Sequence, residues 1–208
     1  SYMNIPLIHV QGGEVTGNID EKTRHANTKL ADLHLVCNKD AQKRVTKLGE
    51  DKNKVIMCGC PSIDIARKVS NLNFNIKDIL NRYKGVGRID KNIDKYYVIL
   101  QHPTTDSHLE SEKNMQITLE ALKKIKSQVF VFWPNSDVGT DGTSRAIRKF
   151  REQNNDLPFF YFKNFSPEDF LKLLIKSVCI IGNSSVGIRE TSFLGVPSVN
   201  IGSRQSGR

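Results

Sequence analysis

Short apolar runs rich in β-branched residues recur along the chain, and between them lie longer segments whose apolar positions return every three or four residues. The first kind of pattern is strand-like and the second helical. Strands are predicted at 6–10, 33–37, 54–58, 97–101, 129–133, 159–162, 178–181 and 198–201. Helices are predicted over 21–31, 39–48, 62–70, 76–83, 110–126, 143–154, 166–176 and 185–193. Ser166-Pro167-Glu168-Asp169 is a clear start signal, with an N-cap serine, proline at the first helical position and acids in the first turn. Such βα alternation implies α/β architecture, with parallel sheets flanked by helices and ligands outside the carboxyl ends of the strands.

Between Asn71 and Lys95 the chain is polar and lysine-rich, with Gly85-Val86-Gly87 in its middle and no strong strand pattern. This stretch reads as the passage between two domains, 1–70 and 71–208. The first holds only three strand candidates and begins abruptly. The second holds five, and its last residues, Gly202-Ser203-Arg204-Gln205-Ser206-Gly207-Arg208, form a loop without the helix expected to follow. The expectation is therefore a fragment whose first domain is incomplete. No internal repeat or low-complexity tract is visible.

Composition narrows the class. With 208 residues, 38% hydrophobic and 25% charged, the chain suits one large or two small soluble domains. No apolar run approaches the roughly 20 residues of a membrane span, and Ser1-Tyr2-Met3-Asn4 has no signal-peptide character, so a cytoplasmic protein with no membrane partner is expected. Cys37, Cys58, Cys60 and Cys179 each lie at or near the end of an apolar run, where free cysteine behaves as a small buried hydrophobe. Neither disulfides nor a metal site is indicated, since Cys58-Gly59-Cys60 lacks a second ligand pair with zinc-like spacing. The net charge of +9 comes from lysines that are scattered or mixed with acids on helices. A solvated face explains them better than a nucleic-acid surface, and no nucleic-acid motif is present. Acidic small molecules remain compatible.

Candidate chemistry sits at the predicted strand ends. Ile180-Ile181-Gly182-Asn183-Ser184-Ser185 runs from a strand through a turn into a helix start, where free amides and the macrodipole suit a phosphate. Glu190, five residues after Ser185, suits a sugar diol. An ordinary N-capped helix with a surface glutamate has the same pattern. A second loop, from His9 to Asp20, carries Gly12, Gly13 and the carboxylates Glu14 and Asp20. The glycines would let backbone approach a ligand, and two carboxyl groups in one cleft can divide acid and base roles. Solvated acids with a helix N-cap at Asp20 are the plainer reading. Arg24 and His25 follow on the next helix, within reach of a cleft or of Asp20 and Glu21 one turn earlier. His102, before Pro103, ends an otherwise apolar strand and faces the crevice, either as a donor to phosphate or sugar or as a holder of its loop. The turn Trp133-Pro134-Asn135-Ser136-Asp137-Val138-Gly139 carries only a weak signal.

The loop from Gln11 to His25, the His102-Pro103 step, the turn Pro134-Asn135-Ser136-Asp137 and the run from Gly182 to Arg208 carry a resemblance. That last run includes Asn183-Ser184-Ser185-x-Gly-x-Arg-Glu and Gly202-Ser203-Arg204-Gln205. Across essentially its whole length the chain resembles the hydrolysing UDP-N-acetylglucosamine 2-epimerases of sialic-acid biosynthesis. The resemblance implies a glycosyltransferase-B fold of two Rossmann-like domains with UDP in their cleft. On this reading 1–70 is the last part of the N-terminal domain and 71–208 most of the C-terminal, UDP-binding one. It implies elimination of UDP from UDP-N-acetylglucosamine, hydration of a 2-acetamidoglucal and release of N-acetylmannosamine. Glu14, Asp20 and His102 match catalytic positions, while Ser184, Ser185, Glu190 and Arg204, with Gly13 and Arg24, match the substrate site. No cofactor is implied, the partner is the UDP-sugar, and the full-length protein is expected as a homodimer or higher homo-oligomer.

A further family aspartate, in a Gly-Asp-Arg-like turn upstream of the first strand, has no counterpart here, so the fragment alone is expected to be inactive. Alternatives are the same chemistry on a UDP-diacetamido-sugar, a non-hydrolysing epimerase, a retaining glycosyltransferase, or a UDP-binding module without chemistry. The non-hydrolysing type is disfavoured because its loop typically reads Glu-Ala-Gly-Leu-Arg where this chain has Gly-Glu-Val-Thr-Gly.

Overall fold

A computed structural model describes residues 3–16, 19–90 and 93–207, without the side chains of 19–20 and 105–107. The chain divides into two compact units, one of residues 1–64 with 206–208 and the other of residues 65–205.

The first unit is built on a parallel three-stranded sheet, β1 (Ile8–Val10), β2 (Leu33–Val36) and β3 (Val55–Met57), in that spatial order. Ile8 lies beside Leu33, and Val36 beside Met57. Helix α1 (Ile19–Leu30) connects the first two strands and α2 (Lys39–Lys47) the next two. Asn38 starts α2 by accepting the Ala41 amide at 2.8 Å, and Ala41 and Val45, one helical turn apart, join Val36 and Val55 in a small core. At its margin Glu50 accepts hydrogen bonds from Lys29 (2.5 Å) and pairs with buried His34 (3.2 Å). The Lys29 hydrogen bond holds the Glu50 carboxyl below its ordinary range, aided by its charge and by His34 and opposed by burial.

The second unit begins inside α3 (Pro61–Ser70) and continues through α4 (Ile76–Arg82). Its six-stranded sheet contains β4 (Gly85–Gly87), β5 (Tyr96–Leu100), β6 (Gln128–Phe132), β7 (Phe159–Phe162), β8 (Cys179–Gly182) and β9 (Ser198–Asn200). The order is β4-β7-β6-β5-β8-β9, parallel except for the antiparallel β4–β7 pair. Helices α5 (Ser111–Leu122) and α6 (Thr140–Gln153) bury Met115, Leu119, Ala146, Ile147 and Phe150 in one hydrophobic cluster with Ile99, Val131 and Phe159. A separate cluster takes Ala66 and Val69 of α3, Ile79 of α4 and Leu171, Leu173 and Leu174 of α7 (Pro167–Ile175), packed with Val98, Phe130 and Phe162. The i, i+3, i+4 spacing of these residues directs one stripe of each helix onto the sheet. The Ser166 cap accepts the Asp169 amide at 3.2 Å, as its sequence predicts. The short α8 (Glu190–Leu194) ends at Gly195.

Strand β4 escapes the hydrophobic pattern because two of its three residues are glycine and the third, Val86, is exposed. Those glycines are required by contact, since a Cβ on Gly87 would lie 2.2 Å from the Phe159 carbonyl oxygen. Among the described residues no helix is long and apolar enough to cross a membrane.

Candidate functional site

In the second unit chain direction across the sheet reverses between β5 and β8: β6 and β7 lie on one side, β9 on the other. The carboxyl ends of the two strands at such a switch point form a natural crevice. His102 follows β5 and Asn183 follows β8, and the two residues are locked together. Asn183 Oδ1 accepts the His102 amide at 2.7 Å, and Asn183 Nδ2 donates to the His102 carbonyl at 2.8 Å. Gly182, with φ of 146°, makes this approach possible, because a Cβ there would lie 2.0 Å from the Leu100 carbonyl oxygen.

The same asparagine gathers the closing loop. Its carbonyl accepts Gln205 Nε2 at 2.8 Å and Arg204 Nη1 at 3.3 Å, while Arg204 Nη2 lies 3.6 Å from Asp137 Oδ2. Asp137 belongs to the turn after β6, which the sequence marks only weakly. That turn donates the Asn135 amide to His102 Nδ1 at 3.1 Å. With Nδ1 accepting, neutral imidazole carries its proton on Nε2. Burial and the neighbouring Arg204 charge push the His102 pKa down to about 4, against the opposing pull of Asp137 and Asn135. His102 is thus a neutral Nε2–H donor near pH 7.

The imidazole lines two cavities. One of about 480 Å³ is walled by Trp133, Phe165, Pro167 and Phe170, and another of about 230 Å³ by Gln101, Ser111, Asn114 and Ser203.

The segment after β8 differs from the expected helix over 185–193. It is a single 3₁₀ turn, Ser185–Gly187, followed by the five-residue α8. The turn consumes two donors that a regular helix would present: the amides of Val186 and Gly187 bond to Ser184 Oγ and Ser184 O. So short a helix has little macrodipole, and the charge for an anion here comes from side chains. Arg189 Nη2 donates to Ser185 Oγ at 3.2 Å. Glu190, only 8% exposed, lies 3.7 Å from Arg189 Nε, and among the described residues its Oε2 accepts no hydrogen bond. It is therefore no surface glutamate. Buried carboxylate oxygens without donors are uncommon.

The first unit holds the other candidates. Arg24 Nη1 donates to the Glu14 carbonyl at 3.0 Å and to Thr16 Oγ1 at 3.1 Å, so this guanidinium braces the loop. His25 lies 3.9 Å from Glu21, its i−4 neighbour. Gly13 is required by the fold itself. A Cβ on Gly13 (φ 75°) would lie 2.4 Å from the Ala41 carbonyl oxygen, and Arg44 Nη1 donates to the Gly13 carbonyl at 3.0 Å. Asp20 falls inside α1 and not at its N-cap, and its side chain lies outside the described residues. Near Glu14 lies a group absent from the sequence-based candidates: burial, and after it the Glu14 carboxylate, push the Cys37 thiol up to about 12. Cys179 is buried, Cys37 and Cys60 are partly covered, and Cys58 is exposed, contrary to the expectation that all four are buried.

Sequence reasoning gave Asn183, Asn135, Asp137 and Gln205 no role of their own in the site. Their signals were membership of the motifs that carry the resemblance and position, since each lies in a loop that follows a strand of the sheet.

Comparison with known proteins places this geometry. The family model described as UDP-N-acetylglucosamine 2-epimerase matches residues 1–208. The chain is 31% identical over 203 residues to the UDP-N-acetylglucosamine 2-epimerase of Neisseria meningitidis serogroup B, covering 97% of this chain and 50% of that protein. It is 34% identical over 211 residues to polysialic acid biosynthesis protein P7 of Escherichia coli, covering 100% and 51%. It is 32% identical over 208 residues to the GDP/UDP-N,N'-diacetylbacillosamine 2-epimerase (hydrolyzing) of Campylobacter jejuni, covering 99% and 52%. The fold matches that of the Neisseria meningitidis UDP-GlcNAc 2-epimerase solved with UDP-GlcNAc, with a TM-score of 0.73, 20% identity and coverage of 96% and 53%. The chain thus spans about half the length of the relatives it matches. Over residues 1–208, this chain belongs to the UDP-N-acetylglucosamine 2-epimerase family.

Proposed function

We propose that this chain carries the nucleotide-sugar site of a hydrolysing 2-epimerase, which converts UDP-N-acetylglucosamine to N-acetylmannosamine and UDP. The observation that carries the reading is Glu190, a buried carboxylate next to Arg189 and five residues after Ser185, whose Oε2 accepts no hydrogen bond among the described residues and has only the Arg189 Nε charge at 3.7 Å. A ribose diol would supply the missing hydrogen bonds. The aromatic-walled cavity suits a planar base, and Arg204, Ser184 and Ser185 supply donors for a diphosphate.

The chemistry explains why these groups are needed. The C2 hydrogen of the sugar is not acidic until the C1–O bond to UDP begins to break, so charge developing on the departing diphosphate must be stabilised. Arg204 and the neutral His102 Nε2–H, both in the second unit, are assigned that task. A carboxylate then takes the C2 proton, leaving a 2-acetamidoglucal, and water adds to release the product. Glu14 and Asp20 of the first unit are assigned the proton transfers, with Gly13 and Arg24 shaping their loop. Hydrolysis is favoured over simple epimerisation by the Gly-Glu-Val-Thr-Gly loop and by similarity to relatives described as hydrolyzing.

Titration calorimetry of the chain with UDP tests the site, and proton NMR with UDP-N-acetylglucosamine reads both products. Glu190→Ala is expected to weaken UDP binding about 10- to 100-fold, the worth of losing charge-assisted hydrogen bonds. Unchanged UDP affinity in Glu190→Ala and Arg204→Ala would overturn the assignment. A second reading, the same chemistry on a UDP-diacetamido-sugar, is favoured by the diacetylbacillosamine epimerases among the relatives, and competition between the two UDP-sugars separates them.

A further inference from the structure

The cavity walled by Trp133, Phe165, Pro167 and Phe170 is backed by a residue that does not line it. Tyr83 follows α4, in the polar stretch that the sequence marks only as a passage between domains. Its ring stacks on that of Phe165, with centroids 3.8 Å apart and planes 14° from parallel. Phe165 also makes T-shaped contacts with Phe162 and Phe132, at 4.7 and 5.0 Å, and Phe132 makes one with Phe170 at 4.9 Å. Stacked and edge-to-face pairs of this kind hold aromatic rings in defined orientations. Phe165 is therefore a cavity wall whose place depends on Tyr83 behind it.

The phenol is itself pinned. Its hydroxyl donates to Asp169 Oδ2 at 2.9 Å and accepts the Ser166 amide at 3.0 Å. Buried Asp169 also takes Arg82 Nη1 on its two oxygens, at 3.3 and 3.1 Å, and Lys172 Nζ at 3.2 Å. Burial pushes the Asp169 carboxyl up, but the hydrogen bonds from Tyr83 and Lys172 and the charges of Arg82 and Lys172 outweigh it and hold the group below its ordinary range. An ionised carboxylate only accepts, so the phenol hydrogen is committed to Asp169 and the phenol oxygen is left for the Ser166 amide. Ser166 and Asp169 belong to the start of α7, and Phe165 and Phe170 adjoin them in sequence. Tyr83 thus holds one wall by its ring and, by its hydroxyl, the backbone that carries two of them.

We infer that Tyr83 is a positioning residue for the nucleobase: by holding Phe165 in place it sets the affinity for the base half of the nucleotide without touching it. The inference rests on the base-binding role proposed above for this cavity. A wall that is ordered before the base arrives spares the cost of immobilising a side chain on binding, and that cost is what Tyr83 controls. Losing the stacked ring is worth about 2- to 10-fold in UDP affinity, the scale of one aromatic pair. If Tyr83 served only to dock α4 on α7, its loss would weaken every ligand of the site alike.

Trp133, the one tryptophan of the chain, lines the same cavity and reports on it directly. The test combines quenching of its emission by UDP with calorimetry of UDP and of pyrophosphate, which lacks the base. Tyr83→Leu is expected to raise the UDP Kd about 2- to 10-fold while the pyrophosphate Kd stays unchanged. Tyr83→Phe, which keeps the ring and loses its anchors, should fall between Tyr83→Leu and the native chain. Ser166→Ala, destabilised through its helix cap but with its amide still on the phenol oxygen, should bind UDP as the native chain does, which separates lost stability from lost position. Undiminished UDP affinity in Tyr83→Leu or, should that variant not fold, in Tyr83→Phe overturns the inference, and so does an equal loss for pyrophosphate. UDP binding to the native chain that leaves Trp133 emission unchanged would instead overturn the base reading of the cavity and this inference with it, whereas absence of UDP binding would overturn the nucleotide site as a whole.

Discussion

Asn183 shows how one side chain organises a site that its own chemistry does not announce. Its amide satisfies the His102 backbone on both sides while its carbonyl collects Arg204 and Gln205. Asn183→Leu leaves a part-buried N–H and C=O unpaired, at a cost of about 1–3 kcal/mol each at full burial, and should lower the urea unfolding midpoint and weaken UDP binding together. Asn183→Asp retains the acceptor for the His102 amide and should lose less of both.

His102 supplies a pH dependence with a definite sign. Its folded value of about 4 lies below the ordinary 6.5, so between these the unfolded chain binds the additional proton. Its contribution is therefore fully present above pH 6.5 and lost as pH falls toward 4, by roughly 2–4 kcal/mol. Urea titrations from pH 7 to 4 should show a shallower loss in His102→Gln than in the native chain. His9, also held low by burial, His34 and Arg24, titrates in both proteins and cancels in the comparison. At this level the carboxylates and His102 were legible, because ionisable groups beside strand ends stand out. Asn183 and Gln205 were not, because a neutral amide looks the same in a solvated turn as at the hub of a network.

Among the secondary elements, most strands and helices stand where periodicity predicts them, to within a few residues. The segment after β8 departs furthest, and the departure has chemical meaning. A regular helix would have offered its first amides to an anion, whereas here those of Val186 and Gly187 are spent internally and Arg189 lies on Ser185 and Glu190. Gly182 is the pivot of that change. Gly182→Ala places a methyl carbon 2.0 Å from the Leu100 carbonyl oxygen at an unfavourable φ, which should force β8 from β5, lower Tm by several degrees and abolish UDP binding. By contrast, Ser166→Ala removes only the α7 cap, worth about 1 kcal/mol, and should leave UDP binding intact in the same calorimetric assay.

Across the chain the two units differ in how well they bury their surfaces. The second has hydrophobic clusters that include Phe130, Phe162, Leu119 and Ile147. The first has Val36, Ala41, Val45 and Val55, and the other side of its sheet is uncovered: Val10, Leu35 and Ile56 align across the strands, with Val10 48% and Ile56 47% exposed. Local opening is least costly where few apolar contacts are lost. Hydrogen exchange should therefore release the amides of β1–β3 well before those of β5, β6 and β8, and equal protection would refute this difference.

The succession of strands and helices, the α7 cap, the apolar stripes and the positions of Glu14, His102 and Glu190 beside strand ends are all written in short stretches of sequence. Periodicity and capping act between residues a few positions apart, so they can be read without a fold. Which strand ends meet is another matter. That His102 and Asn183, 81 positions apart, share two hydrogen bonds, or that Cys60 accepts one from Gln11, depends on strand order and register. Those are settled by long-range burial and by close approaches that only glycine permits.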